Sequence, residues 1–339
     1  MSKAETILVK PAEMHQQFYS ILLKNGLASE AAQTCAAAFT ANSIDGITSH
    51  GVNRFSRFVE YIEKGYVNKS AAPSLKNKHN GVEQWDGNSG AGILNAIAAT
   101  SRSMELAKEF GIGCVALSNT HHWLRGGTYG WQAAKAGFIF IGWTNTIANM
   151  PAWKAADAKL GNNPLVIAMP YHDEAIVLDM AMSQYSFGAL ELAAMKNELL
   201  PVAGGFNKAG DLTNNPNEIL ATTRPLPVGY WKGAGLSLLL DILATVLSGG
   251  FAVHEITKKE AEFGLSQVFI TIDFAKAGHA SGISRMVDAI ITDYKNSEPA
   301  DKDSAILYPG ERVLETRKRN SENGIPVLKN IWDEVLKLM

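Results

Sequence analysis

Residues 230–237 read Tyr-Trp-Lys-Gly-Ala-Gly-Leu-Ser and lead into 236–248, the most apolar helix that the sequence predicts. A lysine and free backbone N–H groups at the start of a helix make a physically sensible phosphate site. The dinucleotide fingerprint of a Rossmann fold, Gly-x-Gly-x-x-Gly, needs a third glycine and a preceding strand. Here the third glycine is missing and a proline-rich loop precedes the turn. No other glycine-rich segment fits, so the sequence excludes an ordinary Rossmann fingerprint.

Outward from this turn, the chain alternates strands and helices in its middle and is helical at both ends. Helices are predicted at 11–25, 29–39, 49–64, 91–110, 129–136, 187–197, 236–248 (buried), 281–294, 311–323 and over the last nine residues. Strands are predicted at 82–86, 113–118, 137–144, 164–170, 175–180 and 267–273, with loops at 71–81 and 201–229. This order predicts an α/β (α+β) fold with two domains. The helical domain comprises 1–80 plus 295–339, and 81–294 form an α/β nucleotide- and substrate-binding domain.

Composition excludes several classes of protein. The 339 residues are 46% apolar and 19% charged, which excludes a disordered chain. The net charge of −2, without a basic run, argues against nucleic-acid and membrane-surface partners. The two cysteines, Cys35 and Cys114, have no CxxC partner and fit a reducing compartment. The N-terminal stretch MSKAETILVK has no long apolar region, and 236–247 is short for a membrane span and carries Asp241, so we expect a cytoplasmic protein.

The segment 49–54, Ser-His-Gly-Val-Asn-Arg, is the first candidate for chemistry. If it begins a helix, His50 and Arg54 are four residues apart and share a face. A guanidinium can hold a carboxylate through two hydrogen bonds, and an imidazole can give a proton to a neighbouring carbonyl oxygen. The pair therefore suits a 2-oxo acid substrate. A solvated helix face would give the same pattern, and the residues alone leave both interpretations open.

The segment 119–127, Asn-Thr-His-His-Trp-Leu-Arg-Gly-Gly, follows a predicted strand, where active-site loops often lie. Adjacent histidines have the wrong spacing for one helical face, and no nearby carboxylate completes a zinc set. We therefore predict no metal and favour a loop that contacts substrate or cofactor. The alternative is a turn with Trp123 in the core. A further candidate is Asp179, which ends an apolar run; from the residues alone a strand-end cap is the favoured interpretation.

Together these segments resemble the type-2 malate/L-lactate dehydrogenase family of NAD(P)-dependent oxidoreductases, whose nucleotide-binding fold is not a Rossmann fold. The resemblance extends in family order from about Ser49 to Glu311. It is carried by SHGVNRFSRFVEYIEKG (49–65), VEQWDGNSG (82–90), GIGCVALSNTHHWLRGGTYGWQAAKAGFI (111–139), GWTNTIANMPAW (142–153), GNNPLVIAMP (161–170), VLDMAMSQYSFG (177–188), LPVGYWKGAGLSLLLDILATVLSGG (226–250) and LYPGE (307–311). The HWxRGGxYGWQAA segment points to the diketogulonate branch of that family.

The resemblance also implies roles for individual residues. His50 matches the family's proton donor, and the pKa near 6.5 of an unperturbed histidine suits that role at neutral pH. The expected substrate contacts are Ser49, Arg54, His122, Thr144 and Asn145. The expected cofactor contacts are Ala175, Ile176, Val177, Leu178, Asp179, Met180, Ala181, Trp231, Lys232, Gly310, Glu311 and Arg312.

The expected activity is NAD(P)H-dependent reduction of a 2-oxo sugar acid, 2,3-diketo-L-gulonate, at C2 to 3-dehydro-L-gulonate. NADH is the expected cofactor, with NADPH as the alternative, and the family implies a homodimer. Alternatives within the class are other 2-oxo or 2-hydroxy acids: malate, lactate, ureidoglycolate or a cyclic imino acid. Two alternatives outside the oxidoreductases stay open. The first is a metal hydrolase that uses His121 and His122 and would contain zinc or manganese. A non-enzymatic sugar-acid binding protein would bind nucleotide without oxidising NADH.

Overall fold

The computed structural model describes residues 5–277, 280–302 and 304–339. Residues 1–4, part of the N-terminal stretch considered above, lie outside the described residues. The helices are α1 (Pro11–Lys24), α2 (Ser29–Ile44), α3 (Val52–Glu63), α4 (Gly92–Phe110), α5 (Gly127–Lys135), α6 (Phe187–Lys196), α7 (Pro216–Thr222), α8 (Trp231–Ser248), α9 (Val253–Ile256), α10 (Ala280–Lys295), α11 (Glu311–Asn323) and α12 (Lys329–Leu336). The strands are β1 (Thr6–Val9), β2 (Ser74–His79), β3 (Val82–Asp86), β4 (Ile112–Thr120), β5 (Ile139–Thr144), β6 (Met150–Pro151), β7 (Ala158–Leu160), β8 (Leu165–Tyr171), β9 (Glu174–Met180), β10 (Gly205–Phe206), β11 (Leu212–Thr213), β12 (Leu265–Ile272) and β13 (Ile325–Leu328).

A seven-stranded mixed sheet with the order β2-β3-β4-β12-β5-β8-β9 forms the centre of the molecule. Only β3 and β4 pair in parallel; the other neighbours within this sheet are antiparallel. Because a Rossmann fold is built on a mostly parallel sheet, this topology explains the missing glycine fingerprint. The predicted α/β (α+β) class without Rossmann topology is confirmed.

The helical core draws on both ends of the chain. Phe18, Phe39 and Phe55 are fully buried there, with Trp332 of α12 packed against Phe18. An antiparallel pairing of β1 with β13 ties the two ends together. These contacts agree with the residues assigned to the helical domain, whose boundaries stay a prediction.

The structure corrects three predicted elements. The predicted loop 201–229 contains β10, β11 and α7. Helix α7 begins there because the Asn215 side chain accepts a hydrogen bond from the Asn217 N–H and Pro216 occupies the first helical position. The predicted loop 71–81 contains β2, an edge strand whose six residues are all exposed and so show no alternation. The helix predicted to begin at Ser49 is preceded by a 3-10 turn, Thr48–His50, and begins at Val52.

Helix α8 is not buried throughout, contrary to the prediction. One face, including Ala234, Leu240 and Ala244, packs into the core beside Trp143 and Val268 of the sheet. The opposite face is apolar but exposed: Leu236, Leu238, Leu239, Ile242, Leu243 and Val246 are 38–69% exposed. By length and composition α8 is the one helix of the described chain that could cross a membrane, which is weak support for a span. An exposed apolar face of this size is typical of a surface that another protein chain covers.

Candidate active site

The side chain of His50 is fixed by the segment around it. His50 ends the 3-10 turn before α3, and its carbonyl accepts a hydrogen bond from Asn42 Nδ2 at 2.9 Å. A Cβ on the next residue, Gly51, would lie 2.2 Å from Ser43 Oγ, so only glycine allows this approach to α2. The His50 Nδ1 atom lies 3.1 Å from Ser49 Oγ. This bond orients the ring and leaves Nε2 as the atom available to a ligand.

His122 lies directly against His50, although the two are far apart in sequence. Their rings are nearly parallel, at 18°, with centroids 5.6 Å apart. The Leu124 N–H donates to His122 Nδ1 at 3.0 Å, and Leu124 itself has a positive φ of 66°. The tight turn in the His-His-Trp-Leu segment therefore holds the second imidazole in place.

Burial makes both histidines weak bases. It lowers the pKa of His50 to about 3, with further lowering by the positive charges of His122, Arg54 and Arg125. Burial also lowers the pKa of His122 well below its ordinary value, again assisted by Arg54. The expectation of an unperturbed pKa near 6.5 for His50 is therefore wrong for the free protein. At neutral pH both rings are neutral until a ligand changes the local charge.

Arg54 lies on α3 beside these rings, and its partner is a residue that the sequence analysis missed. Arg54 Nη2 bonds Glu262 Oε2 at 3.0 Å, and the Glu262 side chain is 12% exposed. The Glu262 N–H donates to Tyr61 Oη at 3.3 Å. Glu262 lies in the loop before β12, which has neither periodicity nor a motif, so no sequence signal identified it. Its negative charge also opposes the lowering of the His50 pKa.

Two connected clefts meet at the histidines. The Arg54 cleft, of about 390 Å³, contains Arg54, Arg57, Asn149 and Glu262. The Asp179 cleft, of about 570 Å³, is lined by Asp179 and the residues around it on β9. The side chains shared by both clefts are Ser49, His50, His122, Thr146, Asn162, Ser186 and Leu192. A hydride donor in one cleft and an acceptor in the other would therefore meet beside His50.

The end of β9 forms one wall of the Asp179 cleft. Asp179 Oδ2 accepts the Gly127 N–H at 2.7 Å and lies 4.0 Å from Arg125 Nε, while burial raises the pKa of the carboxyl. Asp179 thus accepts a hydrogen bond from the first residue of α5. It lies within β9 and is not the N-cap of a helix, so the interpretation as a strand-end cap is wrong. Of the seven predicted contacts in 175–181, four line the cleft: Val177, Leu178, Asp179 and Ala181.

Thr144 and Asn145, predicted to contact substrate, lie behind the clefts. Both are almost fully buried. Asn145 Nδ2 donates to Asp241 Oδ1 at 2.9 Å, and its Oδ1 accepts the Ser266 N–H at 2.8 Å. These bonds join β5 to α8 and β12. The next residue of the chain, Thr146, is the one that lines both clefts.

The predicted cofactor contacts outside β9 are divided between several places. Gly310 lines the Asp179 cleft, whereas Glu311 pairs with Lys295 and Arg312 lines a neighbouring cleft. Trp231 and Lys232 begin α8 and line neither cleft at the histidines; Trp231 is 65% exposed.

The described residues contain no group of three or more His, Cys, Asp or Glu side chains placed to hold a metal. His121 does not join His122 in a ligand pair. Its Nε2 lies 2.8 Å from the Tyr66 carbonyl, and its ring packs near Phe263.

The chain is similar to known proteins over nearly its whole length. The family model described as malate/L-lactate dehydrogenase matches residues 9–336. The 2,3-diketo-L-gulonate reductase of Klebsiella pneumoniae is 42% identical over 332 residues, covering 96% of this chain and 98% of the relative. The enzyme of that name from Pasteurella multocida is 41% identical, with the same coverage.

Among solved structures, malate dehydrogenase from Entamoeba histolytica superposes with a TM-score of 0.93 at 26% identity, covering 98% of this chain and 97% of that one. Sulfolactate dehydrogenase from Methanocaldococcus jannaschii gives 0.89 at 27% identity, covering 98% and 96%.

Proposed function

Since the chain belongs to the malate/L-lactate dehydrogenase family, and so to the oxidoreductases that use a nicotinamide cofactor, we propose that it reduces 2,3-diketo-L-gulonate at C2 to 3-dehydro-L-gulonate. The observation that carries this proposal is the junction of two clefts at His50, with a guanidinium in one of them. Relatives named for this reaction at about 41% identity over nearly the whole chain support the choice of substrate.

The residues present fit a nicotinamide dinucleotide in the Asp179 cleft. Trp131 lines this cleft, and its buried Nε1 has no hydrogen-bond partner among the described residues. Gly310 has a φ of +94°, and a Cβ there would lie 3.2 Å from Val177 N, so the backbone forms a close-fitting wall. An unpaired donor and a wall without side chains suit a polar, extended ligand. When bound, the nicotinamide supplies the hydride that reduces the carbonyl carbon.

In this proposal Arg54 binds the substrate carboxylate and His50 gives a proton to the oxygen at C2 as negative charge develops there. His122 hydrogen-bonds the substrate's carbonyl or hydroxyl groups, and Ser49 orients His50. The carbon gains a hydride and the oxygen gains a proton, so the carbonyl becomes a secondary alcohol. Each of these roles is a proposal from residue type, placement and family resemblance.

Because the pKa of His50 is low in the free protein, the bound substrate must stabilise the protonated ring if His50 is to act as proton donor. A carboxylate at Arg54 offsets one of the positive charges that lower the pKa of His50. The developing alkoxide then adds a negative charge beside Nε2. Both changes favour the imidazolium form, so protonation of His50 accompanies binding of an anionic substrate.

We also propose that the protein is a cytoplasmic homodimer joined through the exposed face of α8. Leu239 and Val246 on that face are 56% and 69% exposed, and burying such a surface against a second copy removes it from water. Lys232, at the start of α8, lines neither cleft of its own chain at His50. If Lys232 meets a cofactor phosphate, the geometry favours the cofactor of a second copy.

The test is oxidation of NADH and NADPH with a panel of 2-oxo acids that includes 2,3-diketo-L-gulonate, oxaloacetate, pyruvate and a cyclic imino acid. The proposal expects the sugar acid to have the highest kcat/KM. A higher value for another member would assign the chain to that substrate. Dinucleotide binding without turnover of any member would favour the binding-protein alternative. Bound zinc or manganese found by elemental analysis, together with no oxidation of NADH or NADPH, would favour the metal hydrolase.

A further inference from the structure

One wall of the Arg54 cleft is the segment 146–149, which leads from β5 to β6. Each of its four backbone N–H groups has a partner: Thr146 bonds Asn163 Oδ1 at 3.2 Å, Ile147 bonds Glu262 Oε1 at 3.5 Å, Ala148 bonds Thr257 Oγ1 at 2.8 Å and Asn149 bonds the Leu160 carbonyl at 2.9 Å. The next residue, Met150, is fully buried in the core. The backbone at Asn149 is therefore held in place before any ligand binds.

The side-chain amide of Asn149 has only one of its two ends paired. Its Nδ2 donates to Asn162 Oδ1 at 3.3 Å, an oxygen that Thr146 Oγ1 also approaches at 3.3 Å. Its Oδ1 is buried and accepts no hydrogen bond from any residue that the structure describes. Exchange of the two ends of the amide would not help, because Oδ1 would then face the oxygen of Asn162. The unpaired atom is therefore an acceptor.

An unpaired buried acceptor at this place is informative, because native proteins pair nearly all such atoms. Several buried side-chain atoms in the described part of the chain have no partner, and among them Asn149 Oδ1 is the one whose residue lines the Arg54 cleft. Asn149 does not line the Asp179 cleft, whereas its partner Asn162 lines both. Asn149 thus lies on the proposed substrate side of the junction, one hydrogen bond away from it.

The ligand group that Asn149 Oδ1 lacks is a hydrogen-bond donor. The carboxylate and the carbonyl oxygens of a 2-oxo acid are acceptors only, so they cannot pair with Oδ1, whereas a hydroxyl group can. The ring nitrogen of a protonated cyclic imino acid is also a donor, but it belongs to the bond that is reduced and would lie at His50. The Arg54 cleft, with about 390 Å³, leaves room for a substrate chain longer than that of a three-carbon acid.

We propose that Asn149 is a specificity-determining residue, whose Oδ1 accepts a hydrogen bond from a hydroxyl group that the substrate carries beyond its 2-oxo group. This inference rests on the proposed function, because it requires the substrate carboxylate at Arg54 and the 2-oxo group at His50. In 2,3-diketo-L-gulonate the hydroxyl groups are on C4, C5 and C6. The bond from Asn149 to Asn162 is long and the terminal torsion of asparagine is soft, so a small rotation brings Oδ1 to the hydroxyl while Nδ2 stays on Asn162.

The effect of Asn149 concerns the choice between substrates and not the chemical step. Its Oδ1 is already unpaired in the free protein, so the cost of the missing hydrogen bond is present before any substrate binds. A substrate with a suitably placed hydroxyl group removes that cost, and a substrate without one leaves it unchanged. Loss of the acceptor should therefore weaken the use of hydroxylated acids and leave the use of unsubstituted acids nearly as it was.

The test compares two 2-oxo acids of equal length on the full chain: 2-oxohexanoate, and the six-carbon 2-oxo acid with a methylene at C3 and hydroxyl groups on C4, C5 and C6. Oxidation of NADH or NADPH gives kcat/KM for each. We expect the parent to prefer the hydroxylated acid by at least about 10²-fold. Asn149→Leu and Asn149→Ala should each reduce this preference about tenfold, the effect of one lost hydrogen bond, with little change for 2-oxohexanoate. The same loss is expected in kcat/KM for 2,3-diketo-L-gulonate.

The variants are chosen to separate the lost acceptor from a change in packing. Leucine fills the space of the amide and alanine leaves it open, so an effect common to both reports the lost acceptor. Asn323→Ala is the matched control, because Asn323 is an exposed asparagine at the end of α11 that lines neither cleft at the histidines. It should leave kcat/KM for both acids unchanged. The Kd of the dinucleotide and a circular dichroism melt of each variant exclude unfolding as the cause.

An equal loss of kcat/KM for both acids in the Asn149 variants would overturn the inference, because it would limit Asn149 to support of Asn162. A preference that survives both variants would also overturn it, as would a parent that reduces the two acids equally well. In each of these cases the proposed reductase stands. If no 2-oxo acid causes oxidation of NADH or NADPH, the proposed function and this inference are refuted together.

Discussion

The rings of His50 and His122 lie 5.6 Å apart and nearly parallel, in a setting where burial lowers the pKa of both. Two imidazoles so close cannot readily be charged together, because each positive charge disfavours the other. The arrangement therefore suits one proton held by one of the two rings, and we propose that His50 holds it.

Replacement of His50 by glutamine tests its role as proton donor. Glutamine retains hydrogen-bonding capacity but cannot transfer a proton, so kcat should fall by about 10²–10⁴ while the Kd of the dinucleotide changes little. The matched control is His79→Gln, an exposed histidine on β2, which should retain full activity. Turnover near that of the parent in a folded His50→Gln protein would remove His50 from the mechanism.

The low pKa of His50 predicts that an anionic ligand brings a proton with it. Near pH 6, where free His50 is neutral, binding of a non-reactive substrate analogue with a carboxylate should be accompanied by net proton uptake. Calorimetry in buffers of different ionisation enthalpy measures this uptake directly. In His50→Gln the uptake should disappear; an unchanged value would place the proton on another group.

Arg54 is expected to bind the substrate carboxylate, and Glu262 to hold it in place at 3.0 Å. Arg54→Lys keeps the charge but loses the planar fork, so the KM for 2-oxo acids should rise about tenfold or more with little change in NADH binding. Glu262→Gln should raise KM in the parent but have little further effect in the Arg54→Lys background. Independent, additive effects of the two changes would contradict the coupling. Glu260→Gln, an exposed neighbour, serves as control.

The buried His121 should lower the free energy of unfolding in acid. Burial lowers its pKa to about 4, and the side chain is 3% exposed. An unfolded histidine titrates near 6.5, so the unfolded chain binds more protons between these values. The contribution of this residue is complete above about pH 6.5 and declines as the pH falls toward 4, by up to about 3 kcal/mol. Urea unfolding of His121→Gln should therefore depend less on pH over that range; an identical pH dependence in the parent and variant would refute this.

The exposed face of α8 predicts association of two chains. Analytical ultracentrifugation should give twice the chain mass of 36.6 kDa. Val246→Glu, at a position 69% exposed in the single chain, should shift the protein toward the monomer because it would bury an unpaired charge. The control is Leu199→Glu, which changes a leucine outside α8 that is about as exposed as Val246, and it should leave the association of the two chains unchanged. A monomeric parent would contradict the proposed dimer.

The loop that holds His122 predicts selectivity for hydroxylated substrates. A site built to bond hydroxyl groups rejects analogues that lack them, since its buried polar groups are left unpaired. We expect kcat/KM for 2,3-diketo-L-gulonate to exceed that for pyruvate by at least about 10²-fold, or roughly 2.7 kcal/mol. His122→Ala should narrow the difference, mainly by lowering the value for the sugar acid. Arg125 of the same loop is buried against Asp45, so we do not expect it to contact the sugar acid.

Helices and strands could be predicted where residues close together in the sequence determine them. Helix α11 was predicted with its observed bounds because Gly310 and Gly324 bracket it. His50 and Arg54 were paired on the assumption of one helix, whereas His50 lies in the preceding 3-10 turn; the cleft that joins them could not be inferred from spacing.

Features that depend on tertiary contacts left no such signal. Glu262 lies in an irregular loop and becomes recognisable only beside Arg54. Apolar composition implied that α8 is buried, but composition does not distinguish a core from a surface that awaits another chain. Lys196 of α6 and Arg312 and Arg319 of α11 are more than a hundred residues apart in the chain, and only folding brings them to one cleft.

The most direct test of the central claim follows the hydride itself. The protein is incubated with 2,3-diketo-L-gulonate and a nicotinamide cofactor deuterated at C4, and the product is examined by NMR. We expect 3-dehydro-L-gulonate with one deuterium on C2, formed at least about 10²-fold more slowly by His50→Gln than by the parent. Deuterium on another carbon, or no transfer to this substrate under conditions where another 2-oxo acid is reduced, would contradict it.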